Sequence, residues 1–141
     1  MTDSSSGNRA AVKATLTRLR DLRRGLLRLH KRLLDAERAW YEQAHGRVSS
    51  TGEMLQLVIH DEQFAWLHSI SELIVRIDEA LDMEEPMTED GADALFAETR
   101  TLLTPSETGD EFARKYFAAL QSDPEIILTH REVVQFLKDK P

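Results

Sequence analysis

The sequence predicts an all-α helical bundle built on a long antiparallel hairpin of two helices, with three shorter helices packed on it. Apolar residues recur at spacings of three and four, which is the repeat of an amphipathic helix. No stretch alternates between apolar and polar residues as a half-buried strand does. Capping residues and prolines mark the boundaries of the helices. The chain has 141 residues, 41% of them hydrophobic and 30% charged, which suffices for one buried core.

Helix 1 is predicted from Arg9 to His45, where Gly46 ends it. Residues 9–141 are predicted to form one domain, and the polar tail of residues 1–8 is expected to be disordered. Gly25 lies inside the helix and indicates either a close helix crossing or a bend. The central apolar stripe of helix 1 is spaced alternately by three and four residues: Leu19, Leu22, Leu26, Leu29, Leu33, Ala36 and Trp40.

Three polar residues spaced by seven lie on the apolar face of helix 1, namely Arg23, His30 and Glu37. His30 and Glu37 project near the middle of that face, and Arg23 lies nearer its margin. Such residues pair with a neighbouring helix, fix the register of a bundle, or belong to a ligand site. Pairing is favoured because a buried charge without a partner is costly.

Helix 2 is predicted to begin with a capping box at Ser50 and Glu53 and to run without interruption to about Met83. A weaker apolar stripe of Leu57, Phe64 and Val75 lies almost opposite its main face. The main face is the larger set: Leu55, Ile59, Trp66, Ile70, Leu73, Ile74, Ile77 and Leu81. A helix that is apolar on two faces is central or shared with another subunit. Because three short helices cannot cover two long ones, the sequence predicts a homodimer through helices 1 and 2.

Three shorter helices complete the predicted bundle. Pro86 ends helix 2, and Thr88 is the predicted N-cap of helix 3. Asp110 is the predicted start of helix 4. Asp123–Pro124 places a capping aspartate before a proline at the first helical position, so helix 5 is predicted from here to about Lys138.

Polar side chains at apolar positions are the candidates for a ligand site: His30, Glu37, Gln63 and His130. A metal site assembled from His30, Glu37 and His60 stays open as an alternative, although no motif supports it. The only Glu-x-x-His pair, formed by Glu42 and His45, has no second copy of the kind that di-iron bundles use. The sequence therefore predicts no cofactor and leaves a bound metal ion as the alternative.

Charge and composition exclude several classes of protein. Residues 9–38 hold ten basic and three acidic residues, although the net charge of the chain is -7. Charge complementarity between packed helices is the favoured explanation. The alternative is a basic strip that binds RNA, DNA or an acidic partner, and nucleic acid is disfavoured because it repels an acidic chain. The absence of cysteine excludes disulfides, a cysteine nucleophile and a thiolate zinc site. No signal peptide and no apolar run of membrane-spanning length is present, so a cytoplasmic protein is expected.

The segment from Phe64 to Glu79 resembles a stretch that recurs in small bacterial all-helical proteins of unknown function. Residues 102–107 and the pair Tyr116–Phe117 resemble them too. The resemblance implies a stand-alone bacterial protein and carries no activity, cofactor or catalytic residue. Since no catalytic motif is present, the sequence favours a non-enzymatic protein that acts through protein–protein contacts. The alternative is a metal- or small-ligand-binding bundle with a buried polar site around His30, Glu37 and His130.

Overall fold

In the computed structural model, which describes residues 2–85 and 87–138, the chain folds as an all-α bundle. The described residues form seven helices and no strand: α1 (Thr2–His45), α2 (Thr51–His60), α3 (Glu62–Ala65), α4 (His68–Leu81), α5 (Glu89–Leu102), α6 (Glu111–Ser122) and α7 (Pro124–Lys138). The predicted fold class is confirmed. Within these ranges, the search for a helix with the length and apolar character to cross a bilayer finds none.

Helix α1 is the element on which the bundle is built. Five leucines of its predicted central stripe are at most 1% exposed: Leu19, Leu22, Leu26, Leu29 and Leu33. Helix α4 packs along one side of α1 and α7 along the other, both antiparallel to it. Trp40, the last residue of the stripe, is 37% exposed. It lies beyond the reach of α7, because Glu125 near the start of α7 already pairs with Arg32.

The two ends of α1 differ in how well the sequence predicted them. The helix begins at Thr2, seven residues before the predicted start, so its first turns extend through the predicted polar tail. Arg9 and the two alanines after it are exposed, so these three residues add nothing to the core. Disorder of the tail stays a prediction. At the other end, Gly46 has a φ of +88°, and its N–H donates to the carbonyl of Glu42 at 2.9 Å, which confirms the predicted stop.

The prediction of one uninterrupted helix 2 is wrong. Asp61 is extended, with φ −84° and ψ 132°, and its carboxylate accepts a hydrogen bond from the N–H of Gln63 at 2.8 Å. The Asp61 side chain therefore caps α3, and the backbone of Asp61 leaves the helical conformation and ends α2. Short polar side chains often interrupt helices in this way, because they form hydrogen bonds with nearby backbone groups. A second interruption at Trp66–Leu67 separates α3 from α4. The predicted apolar face is thus divided: Ile70, Leu73, Ile74 and Ile77 are buried, whereas Leu55 and Ile59 are 55% and 50% exposed.

The three C-terminal helices begin where their capping residues predict. The side-chain oxygens of Thr88, Asp110 and Asp123 each accept a backbone N–H, at 3.0, 2.8 and 2.9 Å. These bonds satisfy amides that have no partner inside the helix. The predicted starts of helices 3, 4 and 5 are confirmed as α5, α6 and α7.

Gly25 lies where α7 crosses α1. A Cβ at this position would lie 3.1 Å from side-chain atoms of both Val133 and Phe136. The glycine therefore marks a close crossing, one of the two alternatives that the sequence left open. Ion pairs join the basic residues of α1 to its neighbours: Arg23–Asp78, Arg28–Glu132 and Arg32–Glu125. These pairs are the charge complementarity that the sequence favours.

Candidate functional site

The polar row of α1 (Arg23, His30 and Glu37) lies along the contact with α3 and α4. Arg23 forms an ion pair with Asp78, and the Nε2 of His30 lies 2.9 Å from the Oγ of Ser71. Glu37 is the third member and meets the region between α3 and α4. Ser71 and Asp78 are seven residues apart, as Arg23 and His30 are, so the spacing on one helix matches that on the other.

Glu37 is a buried carboxylate that is held by neutral donors. Glu37 is only 6% exposed. The Nε1–H of Trp66 donates to Oε1 at 3.0 Å, and the Nε2–H of Gln63 donates to Oε2 at 2.9 Å. Gln63 also donates to the backbone carbonyl of Glu37 at 3.2 Å. The ionic partner that buried carboxylates usually have is replaced here by an amide and an indole, whose N–H dipoles stabilise the charge.

His30 is a half-buried neutral imidazole. Burial lowers its pKa below the ordinary value, and repulsion from His68 lowers the pKa further. Such a histidine carries one N–H and one free lone pair at neutral pH, so it either donates to Ser71 or accepts from it. Ser71 borders a surface groove between α4 and α5, which we name the α4–α5 groove, with a volume of about 670 Å³. The ion pair between Arg76 and Glu98 lies on its wall.

His130 belongs to a different contact. Its Nδ1 lies 2.6 Å from the hydroxyl oxygen of Tyr116, between α6 and α7. Burial lowers the pKa of His130 and raises the pKa of Tyr116 well above its ordinary value. Both groups are therefore uncharged at neutral pH. The structure pairs Gln63 with Glu37, as the sequence suggested, and gives His30 and His130 separate partners on separate helices.

The metal alternative receives no support from geometry. Across residues 2–85 and 87–138, no three histidine, aspartate or glutamate side chains are placed to share a metal ion. His60 is exposed at the C-terminal end of α2. His30 and Glu37 instead use their polar atoms in hydrogen bonds to Ser71 and to Gln63 and Trp66.

Sequence reasoning missed the partners of the polar row. Trp66 was assigned only to an apolar stripe, although an indole N–H that is buried almost always finds an acceptor. Ser71 and Asp78 repeat the spacing of seven that drew attention to α1, and this match was the available signal. Tyr116 gave no signal, because nothing in the sequence places α6 opposite His130.

Helix α2 presents a second candidate, an apolar surface. Five of its ten residues are large and apolar, yet none of its residues is buried. Thr51, Leu55 and Ile59 follow one another at spacings of four and are all exposed, so they form what we name the outer face of α2. Between α2 and α1 lies the α1–α2 groove, with a volume of about 480 Å³, lined chiefly by Leu34, Arg38, Met54, Leu55 and Val58. Exposed apolar surface of this kind is typical of protein-contact sites.

Comparison with known proteins adds no functional information. No protein-family model, curated protein or solved structure matches the chain. The resemblance of the segment from Phe64 to Glu79 to bacterial helical proteins therefore stays a prediction. The functional interpretation rests on the polar row and on the exposed surface of α2.

Proposed function

We propose that this is a non-enzymatic helical-bundle protein of the bacterial cytoplasm that acts through protein–protein contacts and forms a homodimer through α2. The observation that carries the proposal is that α2 is rich in apolar residues and buries none of them. Leu55 and Ile59 remain 55% and 50% exposed. Burying apolar surface is worth about 25 cal/mol per Å², so a second protein surface would gain stability by covering them.

The outer face of α2 suits contact between two copies of the chain. Thr51, Leu55 and Ile59 carry no charge, and Gly52 beside them lets another backbone approach closely. Two chains that each carry a net charge of -7 repel one another, and an uncharged contact keeps that repulsion small. Self-complementary pairing of one patch with itself is the commonest symmetry of oligomers. The exposed side of α1, by contrast, is basic and would repel its own copy, so the proposed dimer is centred on α2.

Sedimentation equilibrium tests the dimer, with Ile59→Glu as the variant and Val75→Glu as its matched control. Ile59 and Val75 are exposed to a similar degree, 50% and 52%, on different helices. We expect the wild-type protein and Val75→Glu to dimerise at micromolar to millimolar concentrations, and Ile59→Glu to be monomeric with an unchanged helical spectrum. A wild-type protein that stays monomeric throughout this range contradicts the dimer.

A small-ligand site beside His30 is the second candidate function. It is favoured by one observation: Ser71, which is hydrogen-bonded to His30, borders the α4–α5 groove. Thermal-shift screening with small polar molecules and divalent metal ions tests this candidate. A ligand that raises Tm in the wild-type protein but not in Ser71→Leu would support it. Equal shifts in both proteins would place the ligand elsewhere.

A further inference from the structure

The exposed side of α1 carries a row of cations, one of which, Lys31, pairs with Asp35 of the same helix. Lys13, Arg20, Arg24 and Lys31 are exposed and follow one another at spacings of seven, four and seven, so they share one side of the helix, which we name the basic face of α1. Arg20 and Arg24 form no ion pair or hydrogen bond with any side chain of residues 2–85 and 87–138, whereas Arg23, Arg28 and Arg32 are paired with α4 and α7. Because Arg20 and Arg24 have no such partner, their charges are available to another molecule.

Apolar side chains run through the basic face. Leu27 lies between Arg24 and Lys31 and is 41% exposed. Leu34, seven residues further along, lines the α1–α2 groove together with Leu55. The strip from Arg20 to Leu34 therefore combines an apolar line with cations beside it, and it continues into a groove. At 1.5 Å per residue this strip is about 21 Å long, which is the length of a helix of about 14 residues.

We infer that the basic face of α1 and the adjoining α1–α2 groove bind an acidic amphipathic helix of a partner protein. The inference rests on the proposed function, because it names a partner for a protein that acts through contacts. Apolar residues of such a helix would cover Leu27, Leu34 and Leu55, and its carboxylates would meet Arg20 and Arg24. An amphipathic helix in an apolar groove is a recurring mode of recognition, read through anchors one and two turns apart.

The chemistry of the surface favours this occupant over two others. Nucleic acid would meet the cations but offers no apolar side chains for Leu27 and Leu55, and the net charge of -7 opposes its approach. A second copy that docked the same face would bring like charges together. A helix with acidic and apolar faces satisfies both parts of the surface.

Fluorescence anisotropy with a designed peptide tests the inference. The probe is a labelled peptide of about 14 residues with leucines at helical spacing and glutamates beside them. The controls for the probe are a peptide with the same composition in scrambled order and a single-stranded oligonucleotide. We expect saturable binding of the designed peptide that weakens as ionic strength rises, because the charges involved are exposed.

The protein variant is Arg20→Glu/Arg24→Glu, and its control is Arg114→Glu/Arg131→Glu, which makes the same change of charge on exposed positions of α6 and α7. Arginine and glutamate have similar helix propensities, so both double variants should fold. We expect the first to weaken peptide binding by at least about tenfold and the second to leave it within about twofold.

Thr51 and Leu55 belong both to the outer face of α2 and to the α1–α2 groove, whereas Ile59 does not line the groove. Peptide binding is therefore measured on Ile59→Glu as well as on the wild-type protein, because this variant removes the proposed dimer contact and keeps the groove. Three results would overturn the inference: no saturable binding of the designed peptide to either protein, equal weakening by both double variants, or tighter binding of the oligonucleotide than of the peptide. A monomeric wild-type protein that binds the peptide contradicts only the dimer. A wild-type dimer whose Ile59→Glu monomer does not bind the peptide contradicts only this inference.

Discussion

Replacing Trp66 by phenylalanine tests whether neutral donors hold the buried charge of Glu37. The substitution keeps an aromatic ring but removes the Nε1–H that donates to Oε1 at 3.0 Å. A hydrogen bond to a charged group contributes about 1.5–3 kcal/mol, and the lost ring atoms add about 1 kcal/mol of packing. The free energy of unfolding should therefore fall by about 2.5–4 kcal/mol.

Urea unfolding followed by circular dichroism at pH 7 measures this loss, and Trp40→Phe is the matched control. Trp40 is 37% exposed, against 6% for Trp66, and forms no hydrogen bond through its side chain within the described part of the chain. Its substitution should change the free energy of unfolding by less than about 0.5 kcal/mol, as surface substitutions usually do. Equal effects of the two substitutions would refute the role given to the indole.

A double-mutant cycle with Glu37→Gln separates the hydrogen bond from the packing. The amide oxygen of glutamine still accepts the indole N–H, but such a neutral bond is worth only about 0.5–1.5 kcal/mol. The coupling free energy between the two positions should therefore be about 1 kcal/mol. Because no cation of the residues that the structure describes pairs with Glu37, Glu37→Gln alone should cost less than the roughly 3–5 kcal/mol that breaking a buried ion pair costs.

Two further predictions concern the histidines and the crossing of α1 and α7. Burial lowers the pKa values of His30 and His130 in the folded state, so the unfolded chain binds more protons near pH 6. The contribution of the two histidines to the free energy of unfolding should therefore be largest at pH values above about 6.5 and decrease as pH falls below it. Denaturant titrations at a series of pH values should show that the free energy of unfolding depends less on pH in His30→Gln/His130→Gln than in the wild-type protein. An unchanged pH dependence would contradict this. Gly25→Leu should lower Tm strongly, because the α7 side chains leave no room for it, whereas Gly7→Leu, with nothing within 4 Å of its Cβ position, should not. Equal melting temperatures of the two variants, measured by calorimetry, would show that the crossing can open without cost.

Short-range rules predicted the helix boundaries that depend on one or two residues. Thr88, Asp110, Asp123 and Gly46 act where the sequence placed them, because a cap satisfies neighbouring amides or carbonyls and needs no knowledge of the fold. Apolar spacing likewise predicted the buried leucine stripe of α1. In such places the local preference and the tertiary packing agree.

The same spacing failed across the predicted helix 2. Leu55 and Ile59 continue the period of Ile70 and Ile77, so periodicity alone reads one helix through all four residues. The interruption at Asp61 depends on whether its carboxylate caps a new helix or remains on the surface of a continuous one. Tertiary packing determines which of the two occurs, and periodicity does not report it. After the interruption, Gln63 and Trp66 both reach Glu37, and α2 loses its place in the core.

Pairing between helices could be predicted only in part. The sequence identified Arg23, His30 and Glu37 as one row and linked Gln63 to the same region. The matching spacing of Ser71 and Asp78 was a signal, but it could not by itself assign them as partners, because helical angles show which residues share a face but not which helix lies opposite. For the same reason His130 was placed near the row, whereas it contacts Tyr116 between α6 and α7.

The polar row gives α1 and α4 a defined register. Leucines and isoleucines at a repeat of seven would pack almost as well after a slip of seven residues in either direction. Glu37 would then face Leu57 or Ser71 in place of Gln63 and Trp66, and its buried carboxylate would lose both donors. A slip therefore costs several hydrogen bonds to a buried charge, which the apolar contacts cannot restore. The row therefore has a structural task, and each of its members has a partner in the fold. For this reason we propose contact with partner proteins at the outer face of α2 and at the basic face of α1 and not at the row.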